Sequence, residues 1–175
     1  MRIRAAGALA SLSSGAVQTC GTRMSTPIGT LLLLADETGL KGILLGDSEE
    51  SPRAESSQDP MEELLREAVL QLNSYFDGKL KHFSLPLAPE GTAFQLDVWR
   101  TLSEIPYGST ITYAELAASL GRPGAARAVG SANGRNPLPI IVPCHRVIGK
   151  DGNLTGYGGG LQIKEFLLHL ERTAR

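Results

Sequence analysis

Two short apolar runs near the amino end, Thr30 to Ala35 and Leu40 to Leu45, flank the turn-forming residues Asp36-Glu37-Thr38-Gly39 and predict an antiparallel hairpin. Pro27-Ile28-Gly29 punctuates the chain before it, so the segment from Ala16 adds a further extended stretch and the three make a meander. Gly46 to Gln58 is polar without periodicity and reads as a surface loop. Asp59 then serves as an N-cap, with Pro60 in the first helical position and Glu62 three residues after the cap. Behind it Met61, Leu64, Leu65, Ala68, Leu72, Tyr75 and Phe76 recur at three- and four-residue steps, so one face of this helix covers the sheet until Asp77-Gly78 ends it. Phe83 to Leu87 reads as one more strand, running into the linker Ala88-Pro89-Glu90-Gly91, where we place a domain boundary.

After the linker the pattern becomes helical. Phe94 to Ile105 carries Phe94, Val98, Leu102 and Ile105 on one side and stops at Pro106-Tyr107-Gly108. Thr112 caps the next helix, with Glu115 in the reciprocal position, and Gly121 ends it. Pro123 opens a third, Gly124 to Ala132, closed by Asn133-Gly134. The two short helices make a helix-turn-helix candidate, an arrangement that also occurs in proteins that never meet DNA. In the last helix Ile163, Phe166, Leu167 and Leu170 form the apolar stripe. Glu171 lies about 40° around the axis from Leu167 and borders that face, whereas Glu165 points to solvent.

A length of 175 residues, 42% of them hydrophobic, suits one ordinary domain or two small ones. The longest strongly apolar stretch, Leu31 to Ala35, is far short of the ~20 residues of a membrane helix. The basic, alanine-rich start MRIRAAGALASLSS lacks the apolar centre of a secretory signal and reads as a flexible tail over 1–15. Cys20 and Cys144 are the only cysteines, too few for a disulfide framework or a zinc knot, so a reducing compartment is the default. The net charge of −1 conceals a division: 36–67 holds ten acids and three bases, while 121–150 holds Arg122, Arg127, Arg135, Arg146 and Lys150 with no acid. The second segment could face phosphates, or the two could be solvated surfaces of opposite sign.

Candidate chemistry concentrates in Ile140-Ile141-Val142-Pro143-Cys144-His145-Arg146-Val147, where an apolar extended run delivers a thiol, an imidazole and a guanidinium. A nearby base or cation lowers a thiol's pKa, so that thiolate is present near neutral pH. Neighbours on a strand face opposite ways, so a water between the Cys144 sulfur and the His145 ring would complete the pair, with a carboxylate on the other ring nitrogen. Taken singly, a cysteine is more often a small buried side chain and a histidine a satisfied hydrogen-bonder.

The segment PCHRVIG from Pro143 to Gly149 closely resembles the methylated-DNA–protein-cysteine methyltransferases. So do AARAVGSANGRNPLPIIV before it, GNLTGYGGGLQIKEFLLHLE after it, and GTAFQLDVWRTLSEIPYGSTITYAELA from Gly91 to Ala117. The likeness takes in the amino-terminal strands and helix more loosely and covers roughly residues 16 to 172.

The resemblance implies an α/β amino-terminal domain over 16–88, a small antiparallel sheet with a covering helix, ribonuclease H-like. It implies a mostly α carboxy-terminal domain over 89–175 with a winged-helix-like helix-turn-helix. Cys144 matches the alkyl acceptor, His145 the water-linked base, Glu171 the carboxylate orienting it, and Asn136 the side chain holding the turn before the active-site segment. Tyr113 matches a tyrosine near the flipped nucleotide and Arg127 the arginine that fills the vacated stack; Thr112, Ala126, Ala128, Gly130 and Arg135 complete the implied DNA contacts. The base pocket falls on Pro139, the carbonyls of Cys144 and Val147, Tyr157 and Gly158-Gly159-Gly160.

The implied activity is single-turnover transfer of an alkyl group from O6-alkylguanine, with O4-alkylthymine as a second substrate, to Cys144 itself. The implied partner is duplex DNA carrying that lesion. No cofactor, membrane or obligate protein partner is implied, and the chain is expected to act as a monomer in the cytoplasm, nucleoid-associated in a bacterium or nuclear in a eukaryote. No metal site is expected, because Cys20 and His82 are the only cysteine and histidine outside the carboxy-terminal half. Two other classes fit parts of the pattern. A Cys-His-Glu hydrolase would need an oxyanion hole that the sequence does not clearly supply, and a DNA-binding regulator or lesion sensor would use 110–135 without chemistry.

Overall fold

The computed structural model describes residues 18–46 and 60–174. The tail over 1–15, most of the loop from Gly46 to Gln58 and the Asp59 cap therefore lie outside the described residues, as does the centre of the acidic segment.

Strands β1 (Cys20–Thr26), β2 (Gly29–Asp36) and β3 (Gly39–Leu45) form an antiparallel meander in the order β1-β2-β3. Thr26 is paired with Gly29 and Asp36 with Gly39 across the two turns, and the register slips at Leu34/Ala35. Gly39 is required where it stands: its φ is +145°, and a Cβ there would lie 2.7 Å from the Pro86 carbonyl oxygen. Helix α1 (Pro60–Phe76) buries Leu65, Ala68, Leu72 and Tyr75 and packs on all three strands.

Phe83 to Leu87 is not a strand. Only Leu87 bridges, in parallel with Leu40, through Leu40 N–H to Pro86 O and Ala88 N–H to Leu40 O. Prolines at 86 and 89 lack the N–H that a ladder needs, and the Gln71 side chain takes over Ser84, accepting from its N–H and donating to its carbonyl. The outer edge of β3 is closed further along by Ile43 N–H donating to Pro137 O at 2.8 Å, just before the Cys144 segment.

The remaining elements are α2 (Ala93–Ser103), β4 (Ile111–Thr112), α3 (Tyr113–Ser119), α4 (Ala126–Asn133), a 3₁₀ turn Cys144–Arg146, β5 (Val147–Ile148) and α5 (Leu161–Thr173). Reciprocal capping boxes start α2 at Thr92/Gln95 and α3 at Thr112/Glu115. Two boundaries differ from the sequence reading. Helix α2 ends at Ser103, with Ile105 buried beyond its end, and α4 begins at Ala126 because Pro123 and Gly124 are spent on the turn. The Trp99 indole donates to Ala132 O at 2.9 Å and fixes α2 against the end of α4. The two-residue parallel pair of β4 with β5 ties the α3 cap to the exit of the Cys144 turn. The fold is thus a small sheet with its covering helix, joined to a mostly helical half containing the helix-turn-helix pair α3–α4.

Candidate active site

Leu138 to Val142 is a tight turn rather than an extended run, with Val142 N–H donating to Leu138 O. Ile140 at its corner has φ +79°, a left-handed conformation that costs a β-branched residue on the order of 1–3 kcal/mol. The Asn136 side chain closes this turn from both ends: its amide donates to Val142 O at 2.8 Å and its carbonyl accepts from Leu138 N–H at 3.0 Å. Pro143 then leads into the 3₁₀ turn, so Cys144 and His145 diverge by roughly a third of a turn instead of pointing to opposite faces.

Cys144, His145 and Arg146 are all buried. Burial pushes the Cys144 thiol up to about 11, against the Asn136 amide, the positive charge of Lys164 and the backbone N–H groups of Cys144 and His145, which favour thiolate. The resting residue is therefore a thiol, and the expectation of standing thiolate near neutral pH is corrected: removing the charge from water outweighs the donors around it.

Glu171 is the hub. Its Oε1 accepts from His145 Nε2 at 2.8 Å, Tyr75 OH at 2.8 Å and Arg146 Nη2 at 2.9 Å, and its Oε2 from Arg146 Nε and Gly108 N–H, each at 2.9 Å. Burial alone would raise this carboxyl, but the bonds and charges of His145 and Arg146 override it and hold it down at about 2. An ionised carboxylate only accepts, so His145 Nε2 carries the proton. Burial also lowers the His145 pKa against the pull of Glu171, leaving a neutral ring whose Nδ1 is buried with no protein partner.

Helix α5 presents a face different from the expected one. Lys164, Leu167, Leu168 and Glu171 are buried, whereas Phe166 is 36% exposed. The helix is turned so that two charged residues point inward, because both find polar partners there: the Lys164 ammonium donates to Val147 O at 2.6 Å and to Thr155 O at 2.8 Å. Glu171 is accordingly enclosed rather than at the border of the buried face. Glu165 is exposed, as its position on the helix implied.

The other expected residues surround this centre. Tyr113, first in α3, is half-buried with its hydroxyl donating to Thr155 O at 3.2 Å. Burial raises its pKa, as it does that of Tyr157, and a thiolate at Cys144 raises both further. The Tyr157 hydroxyl is buried without a protein partner. Val147 and Pro139 are buried, Gly158 is exposed, and Gly160 precedes α5 with φ +91°. Gly159 is packed so closely that a Cβ would lie 2.9 Å from Leu45 of β3.

Thr112 caps α3, and a Cβ on Gly130 would touch the Tyr113 ring. Ala126, Arg127 and Ala128 form the start of α4, with Arg127, Ala128 and the following Arg135 exposed. Arg146 is not part of the exposed positive charge of 121–150, since it is sealed onto Glu171, which leaves Arg122, Arg127, Arg135 and Lys150 exposed in that segment.

Sequence reasoning missed Tyr75, Gly108, Arg146 and Lys164. It also missed Asn133, whose buried amide donates to Cys144 O at 3.4 Å. The available signal was positional: Lys164 stands three residues before Leu167 on the buried face, and Arg146 adjoins His145 inside an apolar run. Among the described residues no cluster of candidate metal ligands occurs, and no helix is long and apolar enough to cross a membrane.

Comparison with known proteins agrees with this geometry. Residues 93–173 match the family described as 6-O-methylguanine DNA methyltransferase, DNA binding domain, and residues 21–89 match its ribonuclease-like domain. The chain is 56% identical over 146 residues to the methylated-DNA–protein-cysteine methyltransferase of Methanosarcina acetivorans, covering 83% of this chain and 94% of that one. The crystal structure of Mycobacterium tuberculosis O6-methylguanine methyltransferase superimposes with a TM-score of 0.76 at 43% identity, covering 90% of this chain and 94% of that one. That of Mycobacterium tuberculosis OGT in complex with DNA does so with a TM-score of 0.76 at 47% identity, covering 87% and 92%. With both halves matched and the acceptor turn, its histidine and its carboxylate assembled in one buried cluster, this chain belongs to the methylated-DNA–protein-cysteine methyltransferase family.

Proposed function

We propose that this protein repairs DNA by direct reversal, moving the alkyl group of O6-alkylguanine, and of O4-alkylthymine, onto Cys144 in a single irreversible turnover. The observation that carries the reading is the buried His145–Glu171 pair directly after the buried, protonated Cys144 thiol, with a neutral ring whose Nδ1 has no protein partner, so that one water between thiol and ring would complete a relay. The relay fits displacement at carbon. The thiol proton passes to His145 Nδ1 through a water, the sulfur forms its bond to the alkyl carbon, and the carbon–O6 bond breaks with its electron pair left on guanine. Tyr113 donates a proton toward N3 of the departing base and recovers one from solvent, and the His145 imidazolium releases the thiol's proton back to solvent, so the proton lost by the thiol is balanced by the one gained by guanine. A thioether has no comparable leaving pathway, and the protein is used once.

We assign the exposed start of α4, with Arg127 at its second position, to the duplex. Flipping the lesion costs a few kcal/mol of stacking, and Arg127 would occupy the space left behind, while Arg135 and Thr112 contact the backbone. Pro139, Val147, Tyr157 and Gly158 to Gly160 would enclose the flipped base. Division at 88/89 makes 16–88 the supporting domain and 89–175 the DNA-binding and acceptor domain, acting as a monomer in the compartment that holds the chromosome. Peptide mass mapping after incubation with O6-methylguanine duplex tests the assignment. A methyl group on Cys144, absent from Cys144→Ser and unaffected by Cys20→Ser, is expected; a methyl group on Cys20, or repair without any modified residue, contradicts it.

A further inference from the structure

The amino-terminal half reaches the reacting centre through one polar contact from α1. Tyr75 lies in the last turn of α1, fully buried, its ring held by Phe76 and Phe83 with centroids at 5.5 Å and by Tyr107 at 6.1 Å. Its hydroxyl donates to Glu171 Oε1, the oxygen that also takes His145 Nε2. We propose that Tyr75 is a positioning residue for the alkyl transfer, acting through Glu171 to set how readily His145 Nδ1 accepts the Cys144 proton.

The proposal rests on the transfer reading above. Oε1 has three donors and two lone pairs, so the bonds share its charge and each draws less than it would alone. Without the phenol, more negative charge falls on the bond to Nε2–H, and a carboxylate pulling harder on one side of an imidazole makes the other nitrogen more basic. The charged and titratable groups facing His145 and Glu171 among the described residues are Arg146 and Cys144 on the 3₁₀ turn, Lys164 on α5, and Tyr75 and Tyr107. Of the two tyrosines only Tyr75 bonds the carboxylate, the Tyr107 hydroxyl having no protein partner. Burial beside Glu171 holds the Tyr75 phenol far above its ordinary range, so it remains a donor throughout the working pH range.

The test uses Tyr75→Phe, which keeps the ring and its contacts, with single-turnover transfer from O6-methylguanine duplex measured against pH and the His145 ring titrated by NMR. A more basic ring is protonated at higher pH and then unable to accept, so the acid limb is expected to move up by about half to one unit. The rate there should fall about three- to tenfold, with the loss shrinking toward alkaline pH. A second variant with 3-fluorotyrosine at position 75, whose more acidic phenol donates more strongly, is expected to move the limb the other way. Tyr107→Phe should leave the limb in place. An equal loss at every pH with an unmoved ring titration, or both position-75 variants shifting alike, would overturn the proposal. Wild-type protein that transfers nothing would instead overturn the transfer reading, and the ring titration would still decide whether Tyr75 sets the imidazole's proton affinity.

Discussion

Lys164 and Glu171, seven residues apart on one face of α5, are both fully buried and hold the two sides of the reacting centre. Lys164 grips the carbonyls of Val147 and Thr155, while Glu171 grips the imidazole and guanidinium that follow Cys144. Replacing Lys164 by methionine keeps most of its length but strips the ammonium from the Val147 carbonyl, leaves the Thr155 carbonyl with the Tyr113 hydroxyl alone, and takes away a positive charge that favours thiolate. Stability should fall by about 2–3 kcal/mol in denaturant titration and transfer should slow by about tenfold or more. Wild-type stability and rate together would show that the ammonium is dispensable.

Asn136→Ala removes both bonds that close the Ile140 turn. The left-handed corner then has less to hold it, and a loss of about 2–3 kcal/mol is expected in equilibrium unfolding, with slower transfer because the amide also favours the thiolate. A stability loss under ~0.5 kcal/mol would mean that packing alone fixes the turn.

The titrations set opposite limbs of the stability profile. Cys144 is raised from 9.0 to about 11, so above pH 9 the unfolded chain sheds a proton that the folded one keeps, and stability falls as pH rises from 9 toward 11. Glu171 is depressed from 4.5 to about 2, so its contribution is present above 4.5 and lost as pH falls toward 2; His145, also depressed, adds a loss that begins below its ordinary 6.5. Melting curves of Cys144→Ser should lack about 2–3 kcal/mol of the alkaline decline and keep the acid one. Identical alkaline limbs would place the titrating group elsewhere.

Alkylation should loosen the fold. Cys144 is buried among closely packed neighbours, and a retained alkyl group adds volume there, a change that typically costs about 1–3 kcal/mol. Methylated protein is expected to melt lower and to be cut first in limited proteolysis. Equal melting and cleavage would separate repair from any loss of stability.

The meander, the α1 stripe and the α3 cap were legible in the sequence because local periodicity and capping residues decide them. The turn at Ile140 was not, since a β-branched residue with positive φ runs against local preference and is held by Asn136 from outside the run. The face of α5 was misread for a related reason: hydrophobicity points to Phe166, while Lys164 and Glu171 turn inward on partners 9 to 96 positions away in the chain. The cysteine and its histidine stood out, whereas Tyr75, whose hydroxyl crosses from the other half of the molecule, left no mark beyond one aromatic in an apolar stripe.

Arg127 is exposed on the first turn of α4 and assigned to the space left by a flipped base. Arg127→Ala should slow repair in duplex DNA far more than transfer from free O6-benzylguanine, which needs no extrusion. Equal losses on the two substrates would assign it to the pocket or the fold.

The central claim is that Cys144 accepts one alkyl group and is not regenerated. It is tested most directly by mixing the protein with an excess of O6-methylguanine duplex and counting the guanines restored at the endpoint. A plateau at one per protein molecule is expected; guanine that continues to accumulate beyond that would contradict the account.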